Sequence, residues 1–246
     1  MHNEQQPDAE DVNRRLLATY NELAELAGSL AHEIKNPLSV IRMNMDLLAE
    51  DFADAETPRE RRALTKIETV QKQCTRLENL LRDFLKFARL RDLELSPGSL
   101  NEVVDRVLAF FEPQAKQSEI EFIRFLDPAL PSIKLDEQTL HAALLNLVKN
   151  SLEAMPDGGR ASIALSLETE PDHRCWLTIR VSDQGVGIEE EDLKKIFEPF
   201  FTTKEQGTGL GLAIVNRIVT VYGGTLKVNS VPGQGTEFTV KLPASG

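Results

Sequence analysis

The sequence predicts an α+β chain, with an N-terminal antiparallel helical hairpin that pairs with a second copy into a four-helix bundle, and then an α/β sandwich. Two observations carry this. Apolar residues recur at spacings of three and four through about the first 95 positions, and from about residue 119 the pattern becomes short alternating strands interleaved with helices.

The first helical stripe runs Leu23, Leu26, Leu30, Ile34, Leu38, Ile41, Met45 and Leu48. A break is expected near Phe52 to Thr57. Thr57-Pro58-Arg59-Glu60 then opens a second helix, with Thr57 as N-cap, Pro58 at the first helical position and Glu60 closing a capping box. The second stripe is Leu64, Ile67, Val70, Cys74, Leu77, Leu81, Leu85 and Ala88. A lone hairpin has too little core for two such stripes. Pairing two copies supplies the missing cover, which predicts a homodimer. Pro37, inside the first helix, predicts a kink.

Leu93 to Pro97-Gly98 reads as a linker. Ser99 and Glu102 form a second capping box, opening a helix through about Phe111. Strands are predicted near 119–126, 132–135, 160–168, 174–182, 224–230 and 235–242, and helices near 137–155, 189–197 and 209–222, the first capped by Asp136. Together these give helices on one face of a mixed sheet. The predicted domains are 1–22, a helical lead-in; 23–93, the hairpin; 94–98, the linker; and 99–246, the sandwich.

The formal net charge of −11 argues against nucleic acid or an anionic membrane surface as a main partner. No apolar run approaches a membrane span, so no membrane contact is expected of this portion, and sensing spans upstream are neither implied nor excluded. Cys74 and Cys175 are isolated, without metal spacing, as befits a reducing cytoplasm.

Residues 30–38 read Leu-Ala-His-Glu-Ile-Lys-Asn-Pro-Leu. His32 and Asn36, four apart, share a helix face with Ser29 and Ser39, opposite the apolar stripe. A water-facing neutral imidazole has a free lone pair at pH 7 and can act as a nucleophile. Glu33 can accept the ring proton, and Asn36 can orient a water for the reverse task. Alone the segment is weak, since most solitary surface histidines are inert.

Four further segments gain meaning together. Asn146 and Asn150 lie one turn apart on a helix; their carboxamides can ligate Mg²⁺ or bond phosphate, or be plain surface asparagines. Asp183-Gln184-Gly185-Val186-Gly187-Ile188 follows a strand. Its carboxylate can accept from an exocyclic amine such as adenine's while the glycines admit close approach, although an ordinary turn fits equally. Gly207-Thr208-Gly209-Leu210-Gly211-Leu212 opens a helix and suits phosphate. Before it, Phe197, Phe200 and Phe201 sit on a predicted loop and need burial, which suggests a lid; Lys204 meets either phosphate or water. Gly233-Gln234-Gly235-Thr236 alone reads as a hairpin loop.

In this order the segments resemble the H, N, G1, F, G2 and G3 boxes of two-component sensor histidine kinases, over about residues 22–243. Residues 198–204 are similar to the nitrogen-regulation type. The resemblance implies that 23–93 is the dimerisation and histidine phosphotransfer domain and 99–246 a catalytic domain of the histidine kinase, chaperone and topoisomerase ATP-binding superfamily. It further implies His32 as phosphoacceptor, Glu33 as assisting base and Asn36 as phosphatase residue. Asn150 is implied on Mg²⁺ with Asn146 nearby, and Asp183 on the adenine amino group. Gly185, Gly187, Ile188, Lys204, Gly207, Thr208, Gly209, Leu210, Gly211, Leu212 and Thr236 complete the implied ATP site.

Many relatives carry a basic residue where this chain has Glu153, so a phosphate contact from that place is not expected. Hydrolytic members of the superfamily carry Glu where this chain has Asn146. An amide cannot take a proton from water, which disfavours hydrolysis and leaves ATP for transfer to His32.

The expected activity is therefore Mg-ATP-dependent autophosphorylation of His32. The sandwich is expected to move about Pro97-Gly98, and the phosphoryl group to pass to an aspartate on a response-regulator receiver domain. The alternatives are a protein that is mainly a phosphatase, using Asn36, and a nucleotide-gated dimer scaffold.

Overall fold

The computed structural model describes residues 33–89, 93–128, 130–169, 175–204 and 207–244. It divides into two compact units. The first holds the helices up to residue 90 together with Lys204–Thr208, and the second holds 91–203 and Gly209 onward.

In the first unit, α1 is helical over 33–51 and α2 spans Pro58–Arg89. The predicted capping box forms in full. Glu60 N–H donates to Thr57 Oγ1 at 3.2 Å, and Glu60 Oε2 accepts from the backbone N–H groups of Thr57 at 2.9 Å and Glu56 at 3.0 Å. These donors favour the charged carboxylate and hold the Glu60 pKa below its usual value. The helices are antiparallel: Arg42 pairs with Glu78 at 3.6 Å, and one turn on Asp46 Oδ1 accepts from Gln71, seven residues back along α2, at 2.7 Å. The helical assignment runs unbroken through Pro37.

Only part of the apolar stripe is buried within one chain. Leu38, Ile67 and Cys74 are buried, whereas Ile34, Ile41, Leu48, Val70 and Leu77 are each more than a third exposed. Two helices bury one line of contact, and the flank of each stripe is left facing outward. Among the described residues no helix is long and apolar enough to cross a membrane.

In the second unit a five-stranded sheet has the order β2-β4-β5-β7-β6: Ile120–Phe125, Gly159–Thr169, Cys175–Asp183, Gly235–Pro243 and Thr225–Val231. β2 and β4 are parallel and the other pairs antiparallel. The register aligns Ile163, Val181 and Phe238 in one row and Leu165, Ile179 and Val240 in the next, all buried. Partners across a ladder share a face, so one face is apolar throughout. Helices α3 (Leu100–Gln117), α4 (Glu137–Glu153) and α6 (Gly211–Val221) cover it. The opposite face carries polar pairs, among them Glu168 with Lys241 at 2.8 Å and Ser182 with Glu237 at 3.0 Å.

Four sequence expectations are corrected here. Residues 96–98, read as linker, form strand β1 (Ser96–Gly98), which pairs antiparallel with β3 (Ile133–Leu135). α3 runs past Phe111 and through Pro113 to Gln117, because its buried stripe continues to Ala115. The helix expected over 189–197 is the single turn α5 (Glu190–Leu193), with no buried residue to extend it. The helix expected from 209 begins at Gly211.

In the second unit the Asp136 cap forms as read, and the Ser99–Glu102 box shows its serine half. Ser99 Oγ accepts from Glu102 N–H, and Asp136 Oδ1 from Thr139 N–H at 2.9 Å. Asp136 does more than cap. Its Oδ2 accepts from Glu94 N–H at 3.1 Å, and its own N–H donates to the Tyr222 hydroxyl at 2.7 Å. One residue thus ties the segment entering this unit, the start of α4 and the end of α6. Burial of the phenol, with the Asp136 charge beside it, pushes the Tyr222 pKa up to about 12.

Candidate active site

Asp183 is the last residue of β5, and the alternation that buries Ile179 and Val181 turns its side chain onto the same helix-covered face. It is 8% exposed. Its Oδ1 accepts from Gly185 N–H at 3.0 Å and from Thr236 N–H at 3.2 Å. Thr236, its ladder partner on β7, is also buried.

The turn after Asp183 is pressed against its surroundings on two sides. A Cβ on Gly185 would lie 2.5 Å from the carbonyl oxygen of Ala154, which accepts from Val186 N–H at 3.0 Å. Gly187, at φ +73°, has room only for hydrogen, since a Cβ there would come within 2.4 Å of Val231 O. Gly233 N–H donates to Val186 O at 2.8 Å, and Ile188 N–H donates to Ser230 Oγ at 2.8 Å. The 183–188 turn is thereby zipped to the β6–β7 hairpin.

On α4, Asn146 is half-buried, its Nδ2 donating to Ala142 O at 2.9 Å. Its Oδ1 lies 3.0 Å from where a Cβ on Gly211 would stand, so a side chain there would displace the Asn146 carboxamide by a few tenths of an ångström. Asn150 is half-buried one turn on. A Cβ on Gly209 would come within 2.3 Å of the backbone of Phe200, and Phe200 N–H donates to Gly209 O at 3.0 Å. Leu210 is fully buried and Leu212 half-buried. Acceptor-bearing α4 and the N-terminus of α6 therefore adjoin, while the Asp183 turn and the β6–β7 hairpin hold one another.

The chain matches two family descriptions: "His Kinase A (phospho-acceptor) domain" over residues 22–93, and "Histidine kinase-, DNA gyrase B-, and HSP90-like ATPase" over 135–246. It is 34% identical over 221 residues to the signal transduction histidine-protein kinase AtoS of Escherichia coli K12, covering 90% of this chain and 35% of that one. The isolated catalytic domain of the histidine kinase ThkA is 32% identical with a TM-score of 0.55, over 62% of this chain and 97% of that domain. The chain belongs to the two-component sensor histidine kinases.

It spans about a third to under a half of the length of the curated sensor kinases it matches. Full-length ShkA in complex with AMPPNP aligns at 29% identity and a TM-score of 0.70, over 90% of this chain and 46% of ShkA. ThkA in complex with the response regulator TrrA aligns at 26% identity and 0.66, over 98% of this chain and 68% of that one.

The remaining sequence-predicted residues of the kinase fall as follows. His32 lies outside the described residues. Glu33 and Asn36 are exposed on α1. Lys204, Gly207 and Thr208 belong to the first unit, where Thr208 Oγ1 donates to Asp83 Oδ2 at 2.9 Å. The expectation that all three phenylalanines of 197–201 need burial is corrected. Phe197 and Phe201 are half-buried, but Phe200 is 55% exposed and sits at φ +69°. Its backbone, not its ring, is engaged by Gly209. Glu153 pairs with Lys149 at 3.7 Å along α4. Ser230, which accepts from Ile188 N–H in the turn after Asp183, is a residue that the sequence reading did not single out. It becomes visible only once β6 and β7 are in register, opposite Thr236.

Proposed function

We propose that this chain binds Mg-ATP in its second unit, transfers the γ-phosphoryl group to His32 in its first, and passes it on to an aspartate of a response-regulator receiver domain. The single observation that carries the reading is the buried Asp183 carboxylate at a strand end, flanked by glycines whose Cβ positions are closed by backbone. A buried carboxylate held at a strand end by a closely packed turn offers an exocyclic amine an acceptor in a fixed place.

Each residue then has a task. Asp183 accepts from the adenine amine, Gly185, Gly187 and Ile188 line the base, and Leu210 and Leu212 complete the site at the start of α6. Gly209 and Gly211, at the start of α6, take the phosphates. The His32 imidazole attacks the γ-phosphorus; the P–N bond forms as the bond to the β,γ-bridging oxygen breaks, and the ring proton passes to Glu33.

Mg²⁺, when bound, neutralises charge on the phosphates. No group of three His, Cys, Asp or Glu side chains that could hold a metal occurs among the described residues. A single Asn150 carboxamide oxygen on α4 suits an ion held mainly by phosphate and water, as Mg²⁺ is. Asn146, a carboxamide beside the start of α6, cannot act as a base toward water, which preserves ATP for transfer.

The exposed apolar residues of α1 and α2 support a homodimer through these helices. Cys74 and Cys175, neither of them in a disulfide, support a reducing, cytoplasmic setting. Exposed Asn36 supports a second task, dephosphorylation of the regulator. Incubation with labelled ATP and Mg²⁺ should give acid-labile, alkali-stable label that His32→Gln abolishes; full labelling of that variant refutes the proposal. Regulator dephosphorylation should fail in Asn36→Ala, and retention removes that residue from the role.

A further inference from the structure

Three side chains of the site stand in a row across three strands. Asp183 on β5 is the ladder partner of Thr236 on β7, which is in turn the partner of Ser230 on β6. All three lie on the helix-covered face. Ser230 is the hub. Its Oγ accepts from Ile188 N–H at 2.8 Å, donates to Gly235 O at 3.0 Å and lies 2.9 Å from Thr236 Oγ1.

With all three contacts made at once, proton counting gives the direction of the last bond. A serine hydroxyl has one proton and two lone pairs. A carbonyl oxygen can only accept, so the Ser230 proton is committed to Gly235, and an N–H can only donate, so one lone pair is committed to Ile188. The Ser230–Thr236 bond must then use the Thr236 proton. Ser230 is saturated, and Thr236 is left with lone pairs alone to present beside Asp183. Two acceptors stand side by side: a carboxylate and a hydroxyl that has spent its proton.

We propose that Ser230 is a specificity-determining residue, which orients the Thr236 proton away from the base pocket and so makes the Asp183–Thr236 edge acceptor-only, favouring a 6-amino purine over a 6-oxo purine. This rests on the nucleotide reading of the site and goes beyond it, since it assigns the purine selectivity to a residue that need not touch the base. Without the Ser230 hydroxyl, the Thr236 proton is released to turn outward, where it can meet a 6-oxo oxygen.

The probes are ATP and inosine triphosphate, whose bases differ at the 6-position and in the proton that inosine carries on N1, titrated calorimetrically with Mg²⁺ into the full chain. The quantity read is the ratio of their dissociation constants. In Ser230→Ala the preference for ATP should fall about tenfold, the scale of one hydrogen bond reversed. Ser230→Thr, which keeps the hydroxyl, should hold the ratio of the unaltered chain. A purely structural role predicts that both nucleotides weaken together, and a ratio within twofold of the unaltered chain in Ser230→Ala overturns the inference. Should Ser230→Ala not fold by circular dichroism, Thr236→Val reads the same ratio; it must fall there too, and an unchanged value overturns the inference. Failure of the unaltered chain to bind either nucleotide takes down the nucleotide reading itself, and this inference with it.

Discussion

Gly187 and Gly233 share a backbone conformation, at φ +73° and +74°, and they sit on the two turns that the Val186–Gly233 hydrogen bond joins. They differ in what surrounds them. A Cβ on Gly233 meets nothing within 4 Å, whereas one on Gly187 meets three backbone atoms of Val231 and Pro232 between 2.4 and 2.9 Å. Alanine at Gly233 therefore carries only the left-handed backbone penalty, about 1 kcal/mol. Alanine at Gly187 carries that and must also push the 183–188 turn off the hairpin. Separation by about an ångström, the scale of the overlap, breaks the Gly233–Val186 and Ile188–Ser230 bonds, each worth about 1 kcal/mol. The sum is about 3 kcal/mol, of which about 2 fall on the wall of the proposed base pocket.

If that 2 kcal/mol is felt by the nucleotide, ATP affinity drops about 30-fold in Gly187→Ala and stays within about twofold in Gly233→Ala. The melting temperature should fall about 2–4 °C in the second variant and roughly 6–12 °C in the first. Calorimetric titration with Mg-ATP, paired with thermal unfolding, measures both. Equal affinities in the two variants, or a Gly187→Ala affinity within threefold of the unaltered chain, would refute the claim that close packing of these turns shapes the pocket.

Other expectations follow from the same contacts. Asp183→Asn should weaken ATP binding at least tenfold, read by titration, because an amide can turn its NH₂ toward the base amine. Asp136→Ala removes acceptors for both Thr139 and Glu94 and should destabilise the catalytic unit by about 1–3 kcal/mol in urea unfolding, with Asp136→Asn costing less because its one oxygen still caps α4. Tyr222 has its folded pKa raised from 10 to about 12, so its stabilising contribution is complete below pH 10 and is lost as pH rises from 10 to 12. Urea unfolding at pH 9 and pH 11 should show that loss, and Tyr222→Phe should remove that part of it. Ile41→Asp, at an exposed apolar position of α1, should shift the chain from dimer to monomer by light scattering.

What was legible in the sequence was whatever depends on neighbours along the chain. The Thr57–Glu60 box and the Asp136 cap are written in four consecutive residues each, and both form as read. Long periodic stripes and alternating strands fared as well. Elements decided by distant partners did not. Ser96-Pro97-Gly98 has no strand propensity, and becomes a strand because β3 lies against it. α3 survives Pro113 because Phe111 and Ala115 are buried on either side of it. Phe200 looked like a residue needing burial, yet a backbone bond to Gly209 holds it while its ring remains outside.

The same distinction explains why the sequence singles out Asp183 and Thr236 and not Ser230. The first two are marked by glycines one or two residues away. Ser230 lies between Asn229 and Val231, with nothing local to mark it. What gives it a role is the two-residue alternation shared by β5, β7 and β6, which carries a row of apolar side chains along the helix-covered face and ends it, at one edge of the sheet, in three polar ones. The hydrophobic registry that builds the core thus also delivers the polar row. A one-residue slip of β7 would turn Phe238 and Val240 to the open face and Thr236 with them, so core and pocket cannot be lost separately by that route. Substitutions that respect the register, such as those at Ser230 and Gly187, are the ones able to separate binding from folding.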